Sequence, residues 1–106
     1  RVENRVPGGD VNPYLAVAGM IAAGLSGIEE KLDLEPIFQG NAYALETDRV
    51  PTSLKEARDL WANSNWVREI FGAEVQKHYT HMADTELDAF GRAVTDWERF
   101  RSFERM

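Results

Sequence analysis

The chain contains no cysteine, which removes disulfides, thiolate zinc sites and cysteine nucleophiles from consideration together. It is short of positive charge as well. Twelve Lys and Arg stand against eighteen Asp and Glu, and the resulting net charge of −6 repels a phosphate backbone. A nucleic-acid partner is therefore disfavoured. Long apolar runs are missing too: the most apolar stretch is rich in Ala and Gly and is closed by Glu29, Glu30 and Lys31 after about 18 residues, with no basic flank, so a membrane span is not expected. A length of 106 residues leaves room for one domain. The 43% hydrophobic content is too high for a disordered chain, so a folded core is expected. Lack of cysteine agrees with a reducing compartment, and a cytoplasmic protein is the expectation.

An initiator Met is also missing, and the opening run Arg1-Val2-Glu3-Asn4-Arg5-Val6 alternates polar with apolar residues. That alternation predicts a half-buried strand over 1–6. Nothing later in the chain reads as a second strand to pair with it, so a piece of a longer protein is expected. Pro7-Gly8-Gly9-Asp10 then turns the chain. Asn12 followed by Pro13 fits a helix N-cap and first helical position, and predicts a helix over about 12–31. Its apolar positions Leu15, Ala18, Ala22, Leu25 and Ile28 are widened by Tyr14, Val17 and Ile21, the pattern of a helix buried on most sides. Gly19, Gly24 and Gly27 inside it suggest close approach of another backbone.

From Leu32 to Thr52 no period survives, and Pro36, Gly40 and Pro51 mark a long loop. Ser53-Leu54-Lys55-Glu56 is a capping box that opens a helix over 53–63. A short helix over 65–71 ends at Gly72. Beyond it the spacing of Val75, Tyr79, Ala83, Leu87, Phe90, Val94 and Trp97 predicts one long helix over 73–104. The fold class expected is thus mainly α with one N-terminal β-strand.

Several groupings could carry chemistry. His78, His81, Asp84 and Asp88 lie at steps of three and four on the last helix, a spacing that metal ligands use and that a solvated acidic face produces equally well. Trp97, Phe100 and Phe103 could dock a partner or pack on a core. Glu3 and Arg5, two apart on a strand, project from the same face. They could form a buried ion pair, or present a carboxylate for a divalent cation beside a guanidinium for a phosphate or carboxylate.

The run Glu3-Asn4-Arg5-Val6-Pro7-Gly8-Gly9-Asp10-Val11-Asn12-Pro13-Tyr14-Leu15, then the Ala-Gly-rich helix through Gly27-Ile28-Glu29, then Gly40-Asn41-Ala42-Tyr43, resembles the C-terminal end of the glutamine synthetase catalytic domain. The resemblance covers nearly the whole chain and implies that 1–106 is the C-terminal segment of an α+β domain. It implies an ATP-dependent ligase that joins the glutamate γ-carboxylate to ammonia or an amine through γ-glutamyl phosphate, with two or three Mg²⁺ or Mn²⁺ ions between subunits of a homo-oligomeric ring. Carried over by position, Glu3 would be a metal ligand, Arg5 would contact the transferring phosphate and the substrate γ-carboxylate, and Arg1 would lie near the nucleotide phosphates. Tyr43 falls where regulated bacterial members carry an adenylylated tyrosine, though its surroundings depart from theirs. Asn4 and the Pro-Gly-Gly-Asp turn resemble paralogues that ligate glutamate to amines or polyamines. The remaining metal ligands and most of the nucleotide site would lie upstream, so the piece alone is expected to be inactive. The competing expectation is a free-standing helical protein-interaction module without catalysis, in which Glu3 and Arg5 are incidental.

Overall fold

A computed structural model describes residues 3–41, 44, 48–103 and 105. Among the described residues five α-helices follow in order: α1 (Pro13–Glu29), α2 (Leu54–Asn63), α3 (Asn65–Phe71), α4 (Ala73–Arg92) and α5 (Asp96–Phe103). The chain divides into a unit of residues 1–50 and a unit of residues 51–106. No helix among the described residues is long and apolar enough to cross a membrane.

A strand is expected over 1–6, but its described residues 3–6 form none, and the described residues contain no β-strand. Arg1 and Val2 lie outside the described residues. Residues 3–5 have no regular secondary structure and Val6 and Pro7 form a bend. The physical reason is that a strand's N–H groups need a neighbouring strand. Here the Val6 N–H donates instead to the Asn4 side-chain oxygen at 3.0 Å, a local bond of the kind that competes with sheet ladders.

In the first unit, α1 begins where Asn12 Oδ1 accepts from the N–H groups of Tyr14 (3.1 Å) and Leu15 (3.3 Å), with Pro13 in the first turn. It ends two residues sooner than the apolar pattern predicts. Leu32 N–H donates to Gly27 O at 3.0 Å and Lys31 N–H to Ile28 O at 3.3 Å, with Lys31 at φ 53°. This is a Schellman closure with lysine where glycine is usual. The Leu32 side chain folds back to 4.0 Å from where a Cβ on Gly27 would stand, the apolar contact that accompanies such a closure. The expectation of a helix buried on most sides fails within this chain: α1 has no buried residue, and Tyr14 (86%) and Ile28 (74%) are largely exposed. Nothing lies within 4 Å of a Cβ placed on Gly24.

The second unit is built on α4. Ser53 Oγ accepts from Glu56 N–H at 3.2 Å and starts α2, while the Glu56 carboxylate reaches back to the Thr52 N–H (2.9 Å) and hydroxyl (3.1 Å). Ser64 caps α3 through Val67 N–H at 3.1 Å. Gly72, at φ 85°, closes α3 by donating to Arg68 O at 3.0 Å, and its carbonyl accepts the first α4 bond from Gln76 N–H at 3.1 Å. Trp61 of α2 meets Phe71 and Tyr79 with ring centroids 5.4 and 6.0 Å apart, and Trp66 lies edge-on to Phe71 at 6.4 Å. Among the described residues Val67 of α3 is the one that is buried.

The helix expected over 73–104 is broken at residues 93–95. Thr95 Oγ1 accepts from Glu98 N–H at 3.2 Å while the Glu98 carboxylate accepts from Thr95 N–H at 2.8 Å. That reciprocal pair is a capping box, and it starts α5 afresh.

Candidate functional site

The Asn4 turn leaves Glu3 and Arg5 side by side. Arg5 Nε donates to Glu3 Oε1 at 2.7 Å, with the two side chains 85% and 51% exposed respectively. An ion pair is thus formed, but at the surface and not buried as that alternative had it, and solvent screens it heavily. The contact uses Nε and leaves the planar Nη fork, the part of a guanidinium that matches a phosphate or carboxylate two oxygens at a time, outside this bond. Glu3 Oε1 is a hard oxygen donor of the type Mg²⁺ selects. Arg1, expected beside the nucleotide phosphates, and Tyr43 lie outside the described residues.

The histidine and aspartate spacing on α4 resolves differently. Asp84 is clamped by Arg58 of α2, which donates from Nε to Oδ1 at 2.7 Å and from Nη2 to Oδ2 at 3.1 Å, while Arg58 Nη1 holds Asp59 at 2.8 Å. Hydrogen bonding from Arg58 holds the Asp84 carboxyl below the ordinary carboxylate range. The same bonds, from Asp84 first and Asp59 second, push the Arg58 guanidinium above its ordinary value. Asp88 pairs with Arg92 at 2.6 Å, and His78 lies edge-on to Tyr79 at 5.4 Å between centroids. Among the described residues no group of three or more His, Asp or Glu is gathered for a metal ion. Beside the Arg58–Asp84 clamp an open groove of about 410 Å³ is lined by Arg68, Glu74, Gln76, Lys77, His81 and Asp84 among others. Its mixed charge gives no preference for a cation or an anion.

Sequence reasoning missed Gln76. Its Nε2 donates to Trp61 O and Ser64 O, both at 2.8 Å, and approaches Ala62 O at 3.3 Å. The indole N–H of Trp61 returns a bond to Gln76 O at 3.0 Å. The α2–α3 junction is therefore tied to α4 by one amide side chain. A lone glutamine on a helix gives no sequence signal for this. The α5 cap, by contrast, was readable as Thr95-Asp96-Trp97-Glu98.

The family model described as glutamine synthetase, catalytic domain, matches residues 1–102. Gamma-glutamylethanolamide synthetase of Streptomyces coelicolor is 61% identical over 106 residues, which are 100% of this chain and 23% of that protein. Glutamate–isopropylamine ligase of a Pseudomonas species is 39% identical over 104 residues, 95% of this chain and 23% of the relative. Type-1 glutamine synthetase 2 of Dictyostelium discoideum is 39% identical over 110 residues, 98% and 21%. The chain spans less than a quarter of the length of these curated relatives. With a match that runs from Arg1 through Ser102, the chain belongs to the glutamine synthetase catalytic-domain family.

Proposed function

We propose that residues 1–106 form the C-terminal segment of an ATP-dependent glutamate–amine ligase. The observation that carries this reading is the 61% identity, over the whole chain, to a gamma-glutamylethanolamide synthetase, and a glutamate–isopropylamine ligase at 39% supports it. In the proposed reaction an oxygen of the glutamate γ-carboxylate attacks the γ-phosphorus of ATP and ADP leaves. The amine nitrogen then attacks the acyl carbon of γ-glutamyl phosphate, the acyl C–O bond breaks, phosphate departs, and the nitrogen loses a proton. A small primary amine is the proposed acceptor, with ammonia as the alternative.

In this reading Arg5 offers its Nη fork to the transferring phosphoryl oxygens and the γ-carboxylate, offsetting charge that grows on those oxygens. Arg1 would neutralise nucleotide phosphates. Glu3 suits Mg²⁺ or Mn²⁺ as one carboxylate ligand, and such an ion, when bound, supplies charge neutralisation and alignment of the phosphates. One carboxylate is a small part of the oxygen set these ions require, so the other ligands would come from elsewhere in the longer protein. On the same reading the parent is a cytoplasmic ring of identical subunits with sites at their interfaces, and the 106-residue piece alone is inactive. Family membership supports this ligase over the free-standing interaction module.

The test uses the full-length parent and measures ADP release with glutamate plus ethanolamine, isopropylamine, putrescine, spermidine or ammonia. Stimulation by a small amine beyond that by ammonia is expected. If no nitrogen acceptor raises ATP turnover, the reading is wrong. Glu3→Gln and Arg5→Lys should each lower turnover by about tenfold or more, with the oligomer intact.

A further inference from the structure

We draw no further inference here: the strongest candidate, the open groove at the start of α4 where Arg68, Lys77 and His81 lie beside a helix N-terminus that has no side-chain cap, carries nothing, because Glu74 and Asp84 line the same groove and, among the described residues, no buried side-chain polar atom is left without a partner to point to a ligand there.

Discussion

Replacing Gln76 by Met keeps the length and most of the volume of the side chain and removes its amide. Two hydrogen bonds of 2.8 Å are lost, to Trp61 O and Ser64 O, while the Trp61 indole bond to the Gln76 backbone carbonyl stays in place. At a net contribution of about 1 kcal/mol per bond, the loss should be about 2 kcal/mol. Both carbonyls keep a longer backbone bond, Trp61 O from Ser64 N–H at 3.4 Å and Ser64 O from Arg68 N–H at 3.3 Å, and the junction is only part-buried, so water replaces some of what is lost. That places the expected value at about 2 kcal/mol and not above it. The assay is urea unfolding of the 106-residue chain followed by circular dichroism at 222 nm. A lower midpoint with unchanged slope is expected, as is a fall in thermal midpoint of about 8–16 °C. Gln76→Glu should be worse than Gln76→Met at neutral pH, since it sets carboxylate oxygens against carbonyl oxygens with no donor between them. A Gln76→Met midpoint within about 0.5 kcal/mol of wild type would refute the claim that this amide ties the α2–α3 junction to α4.

Arg58→Met should let the Asp84 pKa rise towards the ordinary carboxylate value, because the hydrogen bonds that lower it come from Arg58; carboxyl carbon NMR titration of Asp84 checks this, and an unmoved titration would contradict the clamp. Glu98 is held below the ordinary carboxylate range by bonds from the Thr95 N–H and then its hydroxyl. A depressed folded pKa means that the cap's contribution is fully present above the unfolded value and is lost as pH falls through the folded one. The protection of amides at the start of α5, measured against their intrinsic exchange rates at each pH, should therefore fall on acidification below about pH 4.5, and Glu98→Gln should remove most of that pH dependence. Gly72→Ala should cost about 1–2 kcal/mol in urea unfolding, entirely from backbone, because φ is 85° and nothing lies within 4 Å of the added Cβ.

What could be read from the sequence was whatever is encoded locally. Ser53-Leu54-Lys55-Glu56 announces the start of α2 because the atoms that cap it lie within three residues. Thr95-Asp96-Trp97-Glu98 announces α5 by the same rule, yet the three- and four-residue apolar steps run on through Phe90, Val94 and Trp97 and hide the break. A period reports which face is apolar and cannot report that the backbone has restarted. The alternation over residues 1–6 misled for a related reason: it specifies which side chains share a face and says nothing of a partner strand. Arg58–Asp84 and Gln76–Trp61 were unreadable in principle, being 26 and 15 residues apart and made of residue types that also populate solvated helix faces. At the candidate site, the closeness of Glu3 and Arg5 was readable from a spacing of two. That they meet as an ion pair outside any strand was not.

The exposure of that pair bears on where chemistry can occur. An arginine 85% exposed beside a carboxylate 51% exposed faces water whose dielectric weakens any field it exerts on a phosphoryl oxygen, whereas catalysis of phosphoryl transfer draws on charges fixed in a site from which water is shut out. On the proposed reading, then, Glu3 and Arg5 must be covered before they can act. The short segment bearing them cannot do this itself, since it has Val6 70% exposed and no regular structure at residues 3–5. Covering would also alter the pair. Once desolvated, Glu3 and Arg5 would attract each other more strongly, so a metal ion on Glu3 and a phosphate on Arg5 would have to arrive together to part them without leaving either charge bare. Ordered or mutually dependent binding of metal and nucleotide is the consequence, and in the full-length parent Arg5→Lys should weaken it. A lysine ammonium keeps the charge but has no planar fork with which to hold carboxylate and phosphate oxygens in turn. Metal titrations with and without nucleotide, read by the metal concentration giving half-maximal turnover, would show a smaller effect of nucleotide in the variant. An undiminished effect would mean that Arg5 takes no part in the coupling.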